Sequence, residues 1–202
     1  MLFNSYIFIF VFFPLTLGSY YGLHKLGKPV FAKIALILMS FWFYGYFNPN
    51  YLWIMCSSII VNYLLSQLLQ RKWEMSAAQI AVLKKSLLAI GLIFNLGLIF
   101  YFKYYDFFVD NLNKVFSTDF QLKNIVLPLG ISFFTFQQVS YMVDSYRGET
   151  KEYNFTDYAL FVTFFPQLIA GPIVLHNEVL PQFEDKNNWK INWDNMARGL
   201  YM

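Results

Sequence analysis

The sequence predicts an all-α, polytopic integral membrane protein with about six apolar segments, two of them interrupted by proline and glycine. Three observations carry this. The first is composition: 57% of residues are hydrophobic, 22% aromatic and only 13% charged, whereas soluble domains carry about 25% charged residues. The second is a succession of apolar runs approaching or reaching the roughly 20 residues that a helix needs to cross a bilayer. The third is that two of these runs, near residues 125–143 and 158–175, hold proline, glycine and polar side chains that a lipid-facing anchor does not need. Helix breaks at membrane depth are tolerated only against protein or a water-filled cavity. Both segments are therefore expected to be broken or re-entrant and to line an interior.

Composition also excludes function classes. The net charge is +3, and the basic residues read as loop charge at a cytoplasmic surface. No basic patch or zinc-type spacing points to nucleic acid. Cys56 is the single cysteine, so no intrachain disulfide can form, and its apolar run makes it a small hydrophobe. No HExxH, GxSxG, phosphate-loop or dinucleotide fingerprint is present. No metal site is expected.

The first segment runs from Leu2 to Leu23. It lacks a basic lead and a cleavage site and reads as a retained helix, with Gly18 and Gly22 as a small-residue pair for close packing. After His24, Lys25, Lys28 and Lys33, the second segment spans 30–47, and Asn48-Pro49-Asn50 makes a tight turn. The third spans 51–69, with Asn62 and Gln67 positioned for interhelical hydrogen bonds. A basic loop holding Arg71, Lys72, Glu74, Lys84 and Lys85 follows, with a short interfacial helix expected over 76–83. The fourth segment spans 86–102 and contains Asn95. Tyr101, Tyr104 and Tyr105 form an aromatic belt, and a loop of mixed charge leads to Asn124. The basic loops follow segments one and three, which places the N-terminus outside and those loops in the cytoplasm.

In the fifth segment Pro128 and Gly130 mark a break or a helix start. Beyond them Gln137, Ser140, Tyr141 and Asp144 recur at i, i+3, i+4 and i+7, one helical face. Such a stripe is either a helix–helix seam or a wall of a polar channel. Arg147 follows in a charged turn, where Asp144, Glu149 or an anionic headgroup can meet it. The sixth segment begins near Asp157, with Asn154 or Thr156 as cap, and is broken by Pro166 and by Gly171-Pro172. Gln167 and His176 flank those breaks. Discontinuous helices of this kind hold substrate sites in transporters. His176 is the best titratable candidate. A polar loop is expected from Leu180, then a helix from Ile191 capped by Asn192 or Asp194.

LPLGISFFTFQQVSYMVDSYRGE, over 127–149, and NFTDYALFVTFFPQLIAGPIVLHNEVLPQF, over 154–183, resemble the membrane-bound O-acyltransferase (MBOAT) family, in its alginate O-acetyltransferase-like branch. LFNSYIFIFVFFPLTLGSYY and SFWFYGYFNPNYLWIM extend the resemblance over nearly the whole chain. It implies acyl transfer, acetyl in this branch, from a cytoplasmic donor such as acetyl-CoA to hydroxyls of an exported polysaccharide such as alginate. It further implies a bacterial inner-membrane location and extracytoplasmic partner proteins, with no bound cofactor. The family's essential histidine is expected beyond Met202, so residues 1–202 are expected to be the N-terminal part of a single transmembrane domain, inactive alone. Gln137, Gln138, Tyr141, Asp144, Arg147, Gln167 and His176 are then the expected polar lining, and Pro128, Gly130, Pro166, Gly171 and Pro172 the shape-giving breaks. The residues also admit a transporter or flippase for a lipid-linked sugar, or, less well, a structural scaffold.

Overall fold

Long stretches of Leu, Ile, Phe, Met and Ala, bounded by Pro, Asn and Gly, form helices in this chain, and the caps are those of the sequence. The structure, a computed structural model, describes residues 2–170 and 174–201, with side chains for all of these but 168–170 and 200. Among the described residues there is no strand. A wide turn, Phe8–Phe12, leads into α1, Phe13–Lys25. It lies just before Pro14, which has no amide for the carbonyl one turn back, so the turn loosens. Then come α2, Pro29–Gly45, α3, Asn50–Gln70, and α4, Ala77–Ile99. A second wide turn, Phe100–Tyr104, joins α4 to α5, Tyr105–Phe116. The remainder is α6, Ile131–Arg147, α7, Phe155–Thr163, α8, Phe165–Ala170, α9, His176–Glu184, a 3-10 turn, Lys186–Trp189, and α10, Trp193–Tyr201.

Among the described residues, two helices are long and apolar enough to cross a membrane: Asn50–Gln70 and the continuous Ala77–Phe116, 40 residues long, while Pro29–Gly45 is apolar but shorter. Two expectations are corrected by this. The interfacial helix over 76–83 does not stand apart. Ser76 closes a capping box with Gln79, and α4 then runs through Lys84 and Lys85 without a break. The mixed-charge stretch after Phe102 is not all loop either, because α5 occupies it to Phe116. Its exposed Phe107, Phe108, Val115 and Phe116, beside Asp110, Asn111 and Lys114, give it the amphipathic pattern of a surface-lying helix.

The helices gather into two compact units, one of the N-terminal residues through Leu52 with those from Tyr153 on, the other of Trp53–Glu152. In the first, α1 and α2 pair across a short link, and α2 also packs against α7. Phe8, Phe12, Phe43 and Phe165 form its aromatic core, with Phe12 and Phe165 edge to face at 5.1 Å. Among the described residues Gly18 and Gly22 take no part in close packing, since a side chain at either would meet open space. In the second unit α4 packs on α6, where Gly91 leaves room for the Met142 thioether.

The ends of α6 explain its extent. Gly130 (φ 69°) and Gly148 (φ 76°) both sit in the left-handed region, where a side chain is strained. Pro128 and Gly130 thus mark the start of the helix and do not interrupt it. At the other end Glu149 N–H reaches Asp144 O at 2.9 Å, closing the last turn. The charged turn expected at 144–149 is therefore mostly helix. In α7 the cap is Asn154, whose side chain accepts from Asp157 N–H. The break comes at Phe164 (ψ 102°), two residues before Pro166. Gly171 and Pro172 lie outside the described residues. The polar loop expected from Leu180 is helical to Glu184, and Asn192 caps α10.

Candidate functional site

The expected lining residues divide between the two units. Gln137, Gln138, Tyr141, Asp144 and Arg147 lie on α6 in one, and Gln167 and His176 lie in the other. On α6, Gln137, Gln138 and Tyr141 are buried, Asp144 is half-buried and Arg147 is exposed. One polar face of α6 presents Gln138, Tyr141 and Ser145, and Ser140 is half-buried.

Its counterpart is α3. Ser58, Asn62, Ser66 and Gln70 recur every four residues and so stack on one face. Ser58 Oγ donates to Gln138 Oε1 at 3.3 Å. Gln70 Nε2 donates to Ser145 Oγ at 2.9 Å and reaches Tyr141 OH at 3.5 Å. Toward α4, Asn62 and Asn95 bond reciprocally: Asn95 Nδ2 to Asn62 Oδ1 at 2.6 Å and Asn62 Nδ2 to Asn95 Oδ1 at 3.2 Å. Each amide also gives a proton to a carbonyl one turn back in its own helix, Ser58 O and Gly91 O. All four amide protons and both side-chain carbonyls of this fully buried pair thus have partners. Of the two polar residues singled out in the third segment, Asn62 makes the interhelical bond, and Gln70 makes another where Gln67 does not. Ser66 Oγ, Thr135 Oγ1 and Gln70 Oε1 are buried with no hydrogen-bond partner among the described residues. A seam of hydroxyls and amides therefore runs inside an apolar bundle and keeps unused capacity to bond.

In the first unit the helix break is supported from α2. Phe165 N–H, freed where α7 ends, points to Ser40 Oγ at 3.4 Å. Two turns earlier on α2, Lys33 Nζ meets Asp157 Oδ1 at 2.6 Å, with the side chains 15% and 8% exposed. From Asp157 at the start of α7 to Phe165 just past its end, the contacts advance in the same direction as Lys33 to Ser40 along α2, so α2 and α7 run parallel. Lys33 had read as a loop charge, but it lies inside α2 and is neutralised, which leaves Lys25 and Lys28 as the basic charge of that loop. Pro166 is exposed and Gln167 half-buried beside the break.

His176 opens α9 and is 3% exposed, its ring edge-on to Tyr153 at 5.9 Å and Phe161 at 6.2 Å. Burial, then the carboxylates of Glu184 and Asp157, push the Tyr153 phenol above its ordinary 10. It stays protonated through the physiological range. His24 is buried too, between Tyr20 at 4.5 Å and Trp189 at 4.7 Å. Cys56 is half-buried. Among the described residues no three His, Cys, Asp or Glu side chains gather as a metal site would require.

The sequence model of the membrane-bound O-acyltransferase family matches residues 92–202, just over half of the chain. The chain belongs to this family. Curated relatives agree. The peptidoglycan O-acetyltransferase of Helicobacter pylori is 40% identical over 100% of this chain and 42% of its own length. The "Probable alginate O-acetylase AlgI" of Pseudomonas aeruginosa is 33% identical over 93% of this chain and 35% of its own. The protein of that name in Azotobacter vinelandii is 33% identical over 93% and 37%. The chain thus spans about two fifths of the length of the curated relatives it matches. No solved structure matches it. Family membership and the two long apolar helices together make this a membrane protein.

Proposed function

We propose that the protein carrying this chain is an O-acyltransferase of the bacterial cytoplasmic membrane. It moves an acetyl group from a cytoplasmic thioester donor, acetyl-CoA or an equivalent, to hydroxyls of an exported glycan. The observation that supports this most is the 40% identity, along the whole chain, to a peptidoglycan O-acetyltransferase. The matches to proteins named as alginate O-acetylases broaden the acceptor to extracytoplasmic polysaccharides, alginate among them. The six-segment topology, with the N-terminus outside and membrane lipids around it, belongs to the same reading. So do extracytoplasmic partner proteins that complete transfer onto the polymer.

In the reaction the acceptor oxygen attacks the acyl carbonyl, the carbon–sulfur bond breaks, and the hydroxyl proton ends on the departing thiol. A general base is needed to carry that proton, and no residue of 1–202 is assigned to it. This chain supplies walls. Gln137, Gln138, Tyr141 and Asp144 offer donors and acceptors from α6, with Arg147 at its exposed end, and Gln167 and His176 do so beside the α7–α8 break. A polar lining at membrane depth orients a substrate that lipid would not hold.

The test uses the full-length protein. Gln137→Leu and Gln167→Leu are expected to lower ester-linked acetate on envelope glycan by roughly ten- to a hundredfold, the scale of a lost positioning contact. Membrane insertion should stay intact. Wild-type ester levels in both variants refute the lining role.

A further inference from the structure

Residues 117–130 form neither helix nor strand, yet the first part of the loop is held firmly against α5. Asn113 does so at one point: its Nδ2 donates to Phe120 O at 2.9 Å, and its Oδ1 accepts Phe120 N–H at 2.9 Å and Thr118 Oγ1 at 2.9 Å. Two turns earlier Asp106 does so at a second point, its carboxylate accepting Lys123 N–H at 2.8 Å and Ile125 N–H at 3.0 Å. Long loops without secondary structure are uncommon in compact units and are usually functional. Pinned in this way, the loop and the helix border an open hollow of about 800 Å³, lined by Tyr101, Tyr105, Val109, Phe120, Lys123 and Ile125 among others.

The chemistry of this cavity is divided. Val109, buried, with Phe120, Leu122 and Ile125, makes an apolar wall. In the same lining the Lys123 ammonium lies 5.0 Å from the Tyr101 ring centre and 4.7 Å from that of Tyr105. Those rings hold the cation by their faces. Its ammonium forms no ion pair with a carboxylate of the described residues; the nearby Asp106 carboxylate accepts the Lys123 and Ile125 backbone amides. A fixed cation that still has protons to donate, beside phenols and the Gln121 amide, fits a phosphate. The apolar wall and the exposed Phe100, Phe107 and Phe108 of the same continuous helix fit acyl chains. The position fits as well, because α5 has a surface-lying pattern and the cavity opens at the tyrosine belt where headgroups reside.

We propose that this cavity is a headgroup site for an anionic phospholipid, with Lys123 on the phosphate. The assignment does not depend on the acyltransferase reading. It is tested on the full-length protein in detergent, by native mass spectrometry after incubation with phosphatidylglycerol or with phosphatidylcholine of the same chains. Phosphatidylglycerol should be retained several-fold better. Lys123→Gln should lower its retention roughly fivefold, on the scale of one basic side chain at an anionic surface, while Lys123→Arg keeps it. Lys103→Gln should change nothing, since that ammonium lies over Tyr104, outside the cavity lining. Replacing Tyr101 and Tyr105 together by Leu, which leaves the charge in place, should also weaken retention. Equal retention of the two lipids, or of phosphatidylglycerol by wild type and Lys123→Gln, overturns the proposal. Complete displacement by inorganic phosphate alone also overturns it, because the site would then take a free anion.

Discussion

At the scale of single residues, the Asn62–Asn95 pair shows how a polar contact behaves in an apolar bundle. Every amide proton and carbonyl of the pair has a partner, so removing one side chain strands the other. Asn62→Leu or Asn95→Leu alone should cost about 1–3 kcal/mol, the penalty of an unsatisfied buried polar group. The double variant should recover part of that loss. Thermal unfolding of the four proteins in detergent completes the cycle, and additive losses would count against direct coupling. Lys33 and Asp157 pose the same question with charge. Lys33→Met alone should be strongly destabilising, by about 3–5 kcal/mol, because it leaves a buried carboxylate uncompensated, whereas Lys33→Met with Asp157→Leu should be far milder. Equal melting temperatures for the single and double variants would show that the pair carries no such burden.

At the scale of elements, much of the chain was legible because helix starts and stops have local chemistry. Of the alternatives Asn154 or Thr156 and Asn192 or Asp194, Asn154 and Asn192 are the caps, and Pro166 marks the break to within two residues. Asn48 turns the chain by accepting Asn50 N–H at 3.0 Å. Errors arose where polar composition was taken for a boundary. Lys84 and Lys85 sit inside α4 because long basic side chains are good helix formers and reach water from an exposed face. Asp106, Asp110 and Lys114 looked like loop but alternate with Phe107, Phe108 and Leu112 at helical spacing. The α3 stripe, Ser58, Asn62, Ser66 and Gln70, carried a clear every-fourth-residue signal in the sequence. It was overlooked because serine is an unremarked residue in apolar runs. Contacts such as Lys33 with Asp157, 124 residues apart, leave no local trace at all. On α6, Ser145, which bonds Gln70 of α3, lies outside the expected stripe of Gln137, Ser140, Tyr141 and Asp144, because the partner face on α3 leaves no mark in the α6 sequence.

At the scale of the whole molecule, the proposed topology makes a labelling prediction. In the full-length protein with Cys56 and every other native cysteine replaced by Ser, a single cysteine at Asn48 should react with an impermeant maleimide added outside intact cells. One at Lys72 should react only after permeabilisation. Reversed labelling would invert the orientation, and outside labelling of both would remove the span Asn50–Gln70. The continuous helix Ala77–Phe116, 40 residues long, sets a further constraint. At 1.5 Å per residue it reaches about 60 Å, roughly twice the hydrocarbon thickness. Half of it therefore belongs outside that layer, which agrees with the surface-lying pattern of α5.

The reciprocal asparagines also bear on descent. A change at either position alone passes through a form with a stranded amide, so drift at one site is held in check by the other. Among proteins that share this helix pair, the residues equivalent to Asn62 and Asn95 should be inherited together or replaced together. Lineages that have lost one should show a compensating polar group, or a small residue that admits water, at the other.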